Sequence, residues 1–486
     1  MFKINSLLIL FAFLIIQIKI SGLNTPSLNP IYNKTIDIVV VGGGEAGCHT
    51  AIALAKEKTS EGLPLYKITI IEKNKELLLG TSRITPGRLG QGYHYSHIDT
   101  ALTYLKESMS FMKKYPNCIV GKDFKKNHPL RRGRYVVMKE SNPTPFKVWK
   151  VYQEIQKRYS DLVNTNCENK IWGEPNDFLK LLYLAGDQTW INAGDLFQDT
   201  ENSTNKIALE KIIDLKNVAF VVETQEELLD WQAYRKEVLN ELTQFDNITV
   251  LTEMEAVKLL HMGGQNFSIV CKNADNELSY LNAHFPVICA WEHSEKIVRT
   301  LNITSDFKDV VTNRLKCIVT IKLPPAMQDK NCYFFCMGPY AMFSNLGNGY
   351  GKITYAPITN RQKIDAADGL SNDMQDLLNK EHALDDKKLI ANSILKGVQD
   401  FIPALSNICS NDIVDIGFGI VKTMGSKDEI NIYDPLGKIG ERDYGWVRTH
   451  EVNNGEAIII ENNAMKIVYG LKNAQETLQI IGERIK

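Results

Sequence analysis

The 486-residue sequence has no Cys-x-x-Cys pair and no His-Glu-x-x-His segment. No structural or catalytic zinc, and no other metal, is therefore expected. A surplus of either charge is also missing: 56 Lys and Arg stand against 57 Asp and Glu, the net charge is −1, and the signs are well mixed. Without a basic stripe or an acidic block, no nucleic-acid partner is expected. The one basic cluster, Lys122 to Arg134, reads as a solvated loop. A disulfide framework is missing too. The nine cysteines are odd in number, and Cys48, Cys271, Cys289 and Cys317 fall in apolar runs, which is core usage. The apolar run Leu7 to Ile18 is short: as a helix it would measure about 18 Å, against a hydrocarbon core of about 30 Å. With Lys3 ahead of it, residues 1–22 resemble a signal peptide, and an uncleaved membrane-surface anchor is the rival reading. Membrane association through this segment, or export, is the expected location, with residues 1–22 outside the fold.

What is present is concentrated between Ile36 and Lys73. A largely β-branched run, Ile36 to Val41, leads into Gly42-Gly43-Gly44-Glu45-Ala46-Gly47 and an apolar-periodic run to Lys56. A polar loop follows, then Tyr66 to Ile71, closed by Glu72 and Lys73. Strand, glycine turn, helix, strand and acid make up a dinucleotide-binding βαβ unit. Gly42 lets the chain turn sharply, Gly44 leaves room for a pyrophosphate, and Gly47 lets the helix lie close on the sheet. The helix amino end then faces the phosphates, and Glu72 can accept hydrogen bonds from ribose hydroxyls. The loop from Thr59 to Leu65 explains why Gly47 and Glu72 stand slightly farther apart than usual.

The unit is followed by Gly80-Thr81-Ser82 and by the Gly-rich run Arg88 to His94. This combination resembles the D-amino-acid-oxidase-like superfamily of FAD-dependent oxidoreductases, which includes glycine, sarcosine and 2-hydroxy-acid oxidases and dehydrogenases. The resemblance implies an α/β fold: an FAD-binding Rossmann-like βαβ domain interleaved with a mixed-sheet substrate or cap domain. It implies FAD as cofactor and places Thr81, Ser82 and Arg88 to His94 along the flavin. A second landmark, the strand Pro286 to Cys289 running into Ala290, resembles the family's strand under the FAD, although Ala290-Trp291-Glu292 replaces the usual small-residue pattern. A third is the strand Ala457 to Glu461 and the turn to Lys466 and Ile467, where the family closes over the flavin. Val257, in a strand beyond Ile248 to Leu251, completes the cofactor-binding set.

The expected layout is 1–22 signal or anchor, 23–34 linker, 35–121 first FAD-binding part and 122–215 first substrate part. Residues 216–300 form the second FAD-binding part, 301–438 the second substrate part and 439–486 the C-terminal FAD-binding part. Thr224 to Glu227 has the order of a capping box opening a helix. The resemblance implies oxidation of a C–N or C–O bond in a small amino or 2-hydroxy acid by hydride transfer to flavin N5, with oxygen or a quinone as electron acceptor. An Arg matches a substrate carboxylate, and a base can take a hydroxyl proton. The catalytic candidates are His94, Arg88, Tyr93 and Arg442. Two alternatives stand beside this reading: an NAD-dependent dehydrogenase, and a non-catalytic binding protein of the prenyl-GTPase dissociation-inhibitor kind on the same fold.

Overall fold

The computed structural model describes residues 35–84, 87–188, 199–301, 311–428 and 446–485. Among these described residues, eighteen strands follow in chain order. The first nine are β1 (Ile36–Val41), β2 (Tyr66–Ile71), β3 (Gly133–Met138), β4 (Leu179–Leu184), β5 (Val218–Thr224), β6 (Ile248–Leu251), β7 (Met254–Gly263), β8 (Asn266–Asn273) and β9 (Leu278–Ala283). The rest are β10 (Phe285–Ile288), β11 (Val311–Lys322), β12 (Cys332–Cys336), β13 (Ala341–Asn345), β14 (Tyr350–Tyr355), β15 (Asn360–Asp365), β16 (Ile413–Met424), β17 (Trp446–Val452) and β18 (Ala457–Asn463).

A six-stranded sheet has the order β17-β18-β10-β1-β2-β6. β1 lies at its centre, parallel to both β10 and β2. Alternate residues of β1 feed two different cores. Ile36, Ile38 and Val40 join the large core that includes the helix Glu45–Ala55, whereas Val39 and Val41 join a smaller one under the β7-β8-β9 meander. Burial on both faces is why this strand is apolar throughout from Ile38 to Val41. The strands of this sheet come from three separated parts of the chain, as a fold with an interleaved second domain requires.

The second sheet has nine strands, in the order β15-β11-β14-β13-β12-β3-β5-β4, with β16 paired to β11. Its two faces also diverge. Tyr135, Val137, Phe334 and Cys336 face the large core, and Val136, Leu315 and Cys317 pack toward the helix Leu384–Gln399. The fold is thus mixed α/β, with a largely parallel nucleotide-type sheet and a largely antiparallel second sheet.

Three expectations need correction. β5 was expected in the FAD-binding part that begins at residue 216, but it pairs antiparallel with β3 and β4 in the large sheet. Its near-complete burial makes it look like a parallel-sheet strand in sequence. The helix expected to open at Thr224 begins at Trp231, where Asp230 accepts backbone hydrogen bonds from Gln232 (3.0 Å) and Ala233 (3.1 Å). The intervening Glu226 and Glu227 turn inward to arginines. The basic cluster is correspondingly not a free solvated loop. Arg131 pairs with Glu227, and Arg132 and Arg134 pair with Glu223.

The expected membrane-associated or exported location is also corrected. Among the described residues no helix is long and apolar enough to cross a membrane. The segment that motivated the expectation, residues 1–22, lies outside the described residues. All nine cysteines are free, and only Cys167 and Cys409 are exposed.

Candidate active site

The glycine turn joins β1 to the helix Glu45–Ala55. Gly42 has φ +108°, and a Cβ there would overlap the Cys289 carbonyl at the end of β10. A Cβ on Gly47 would overlap the Gly42 carbonyl. The helix therefore rests directly on the turn. A Cβ on Gly44 would meet nothing within 4 Å, because that face opens into a cavity. Gly44 caps the helix without a side-chain hydrogen bond, which leaves amino-end donors for an anion. The Gly43 N–H donates to Glu72 Oε2 (2.8 Å), and the Asn74 N–H donates to Oε1 (2.8 Å). Glu72 is thus fixed at the end of β2, on the cavity wall.

The cavity continues from this turn to the large sheet. Gly42, Gly44, Glu45 and Ala46 line it at the turn, and Glu72 and Lys73 at the end of β2. Thr81 and Ser82 line it from a short 3-10 segment, where Thr81 Oγ1 accepts from the Ile420 N–H (3.3 Å) and ties that segment to β16. Ala290, Lys466 and Ile467 also reach it. Arg88 and His94 line it too, as do Tyr135 of β3 and Lys316 of β11.

Five of the expected residues do not reach the cavity wall or cannot be placed on it. Gly43 and Gly47 are structural, as their contacts above require. Tyr93 is turned away and fully buried among Tyr135, Tyr152 and Phe178, at ring-centroid distances of 5.6, 5.1 and 5.9 Å. Its expected substrate contact is corrected to core packing. Val257 sits at a bulge between Ala256 and Lys258 and is exposed, so Glu255 and Ala256 line the cavity in its place. Arg442 lies outside the described residues.

Arg88 stands on a built support that the sequence did not reveal. Its Nη1 donates to the Tyr135 hydroxyl (3.1 Å) and lies 3.8 Å from Glu226 Oε1, and its guanidinium sits 4.4 Å over the Phe334 ring. Glu226 in turn accepts from the Tyr135 hydroxyl (2.6 Å) and the Gln91 N–H (3.0 Å). Burial works against the Arg88 charge, but Tyr135 and Glu226 outweigh it and hold the guanidinium's pKa above its ordinary value. His94 packs edge-on to Tyr95 at 5.5 Å, and its Nδ1 lies 3.6 Å from Cys336 Sγ.

A second unforeseen group joins the two sheets beside the cavity. Lys422 on β16 is fully buried and donates to both Glu295 oxygens (2.8 Å each) and to Asn463 Oδ1 of β18 (3.1 Å). Nearby, Glu461 accepts from His450 (3.0 Å). Burial pushes Glu461 toward the neutral form, but His450 and Lys422 outweigh this and bring its pKa down to about 2. Glu295→Ala would leave the buried Lys422 with only the more distant Glu461 carboxylate (4.0 Å) as counter-charge, so we expect a loss of about 3 kcal/mol in stability. Thermal unfolding checks this, and the double replacement Glu295→Leu with Lys422→Met should recover most of the loss.

Residues 37–194 match the family model for FAD dependent oxidoreductases, DAO. Residues 37–194 thus carry a DAO-type FAD-dependent oxidoreductase domain. Solved structures of the same fold include L-alpha-glycerophosphate oxidase from Mycoplasma pneumoniae with FAD bound, at 14% identity and a TM-score of 0.55, covering 92% of this chain and 95% of that one. Glycine oxidase from Geobacillus kaustophilus matches at 10% identity and 0.55, over 92% and 95%. L-amino acid deaminase from Proteus myxofaciens matches at 12% and 0.56, over 94% and 92%. At such identities these likenesses show the fold. No curated protein sequence matches the chain.

The DAO-family match decides between the cofactor alternatives: this is an enzyme whose cofactor is FAD, not a nicotinamide dehydrogenase or a flavin-free binding protein. The residues present fit that cofactor. The open face at Gly44 and the uncapped helix amino end suit a pyrophosphate, and the fixed Glu72 carboxylate suits a ribose.

Proposed function

We propose that this FAD-dependent oxidoreductase oxidises a C–N or C–O bond of a small amino or 2-hydroxy acid by hydride transfer to flavin N5. The observation that carries the proposal is the course of the cavity, from the Gly44 turn to Arg88 and His94 under the large sheet. When bound, FAD would supply the hydride acceptor, with oxygen or a quinone as the proposed electron acceptor. In this reading Arg88 receives the substrate carboxylate on the donors that Tyr135 does not use. Phe334 and Glu226 hold the guanidinium plane, so little side-chain entropy is lost when the acid binds. His94 takes the hydroxyl proton where the substrate is an alcohol. Two structural neighbours are named for glycine and L-amino acids, which agrees with a small acid as substrate. The glycerophosphate oxidase makes a phosphorylated alcohol the comparison to include.

The test is anaerobic reduction of the purified flavoprotein by a panel of amino acids, 2-hydroxy acids and glycerol phosphate. Bleaching by an amino or 2-hydroxy acid supports the proposal. Bleaching by glycerol phosphate alone, or only by compounds without a carboxylate, contradicts it. Arg88→Ala should keep FAD bound and raise the half-saturating substrate concentration ~30- to 5,000-fold, because a buried charged contact is worth about 2–5 kcal/mol. Unchanged half-saturation would remove Arg88 from the substrate site.

A further inference from the structure

A tryptophan stands where the cavity passes from the nucleotide sheet to the large sheet. Trp291 follows β10 and Ala290, whose backbone nitrogen abuts the Gly42 turn. Its φ is +49°, a left-handed conformation that bulky side chains rarely adopt. Such strain persists only where surrounding contacts hold it. Here the indole N–H donates to the Ile420 carbonyl of β16 (2.9 Å), and the Lys422 ammonium lies 5.6 Å from the ring centroid. The ring also packs on the core that β11 and β16 share with the helix Leu384–Gln399.

The same Ile420 gives its N–H to Thr81 Oγ1 (3.3 Å). The N–H and C=O of one strand residue point to the same side and stand about 3 Å apart. Thr81 and the indole edge are therefore neighbours along β16. Both residues line the cavity, as do Gly419 and Val421 on either side of Ile420. Trp291 is only partly buried. Lys422, which backs the ring, is fully buried and does not line the cavity. The surface that Trp291 leaves open is thus its cavity side.

We propose that Trp291 is a binding residue for the flavin end of FAD, with its indole lying against the isoalloxazine ring. The pyrophosphate fits at Gly44 and the adenosine ribose at Glu72, both on the nucleotide sheet. The flavin end then takes the wall that the large sheet supplies, and Trp291 is pinned to β16 on that wall. An indole offers a broad flat surface to a planar heteroaromatic ring, and the bond to Ile420 fixes its rotamer in advance, so little entropy is lost on binding. The bulk stands where the family usually carries small residues, so the contact belongs to this chain. The inference rests on FAD occupancy and is independent of the substrate proposed above.

Fluorine NMR of protein grown with 5-fluorotryptophan reads the contact directly. The chain has six tryptophans, and Trp291→Phe identifies the Trp291 line by its loss. The flavin-free full-length protein is titrated with FAD and, separately, with ADP, which carries the same pyrophosphate and ribose but no flavin. The Trp291 line should shift with FAD, under the isoalloxazine ring current, and stay in place with ADP. A line that ignores FAD, or moves equally with both, overturns the proposal. Affinity supplies the second arm. Trp291→Ala should weaken FAD binding ~5- to 150-fold, the usual worth of one aromatic stacking partner, and leave ADP binding unchanged. Trp291→Phe keeps a ring without the bond to Ile420 and should fall between wild type and Trp291→Ala. FAD binding in Trp291→Ala as tight as in wild type, or an equal loss of FAD and ADP, would reduce Trp291 to a structural tie between the sheets and overturn the proposal. Should Trp291→Ala fail to fold, the fluorine line decides alone.

Discussion

Gly44→Leu is expected to give a folded but colourless protein. The Gly44 Cβ direction meets no atom within 4 Å, so the added side chain strains nothing in the chain itself. It enters the cavity at the uncapped helix amino end, where the pyrophosphate of FAD has to lie. Gly47→Leu should fail differently. Its Cβ would overlap the Gly42 carbonyl and force the helix off the turn, and overpacking of this kind costs about 1–3 kcal/mol or more. The two variants separate a ligand-facing glycine from a packing one. Gly44→Leu should melt near the temperature of the flavin-free wild type, while Gly47→Leu should melt well below it. A Gly44→Leu protein that retains its yellow colour would move the phosphate site away from this turn.

His94→Ala is expected to slow flavin reduction by a hydroxy-acid substrate by ~10²–10⁴ at saturation, the usual cost of losing a positioned proton acceptor. FAD should stay bound, because His94 does not belong to the Gly42–Gly47 turn proposed to hold the pyrophosphate. Stopped-flow reduction at saturating substrate distinguishes this defect from that of Arg88→Ala, which appears mainly in half-saturation. A wild-type rate in His94→Ala with FAD still bound would exclude His94 as the base.

The parts of the site legible in the sequence are those held by local chain order. The turn from Gly42 to Gly47 and the acid Glu72 fall within one βαβ unit, so their spacing carries their geometry. The rest depends on partners far away in the chain. Arg88 could be named, but Tyr135 and Glu226, which support it, are 47 and 138 positions on, and nothing local marks them. Glu226 and Glu227 stand in an order that suits a helix start. Their pairing with Arg88 and Arg131 explains why they lie in an extended approach to Trp231 instead. Tyr93 stands next to His94, and successive side chains point apart, so one neighbour lines the cavity and the other joins the aromatic core. Val257 failed for a related reason: the bulge after Ala256 shifts the alternation, which no period-2 reading of β7 contains. Lys422, Glu295 and Glu461 are charges in apolar surroundings, and only the assembled sheets reveal them as one network.

The visible absorption spectrum of the purified protein tests the account most directly. The paired flavin bands, their bleaching by dithionite, and release of FAD, not FMN, on denaturation are the expected results. A colourless protein that takes up no FAD on reconstitution would contradict it.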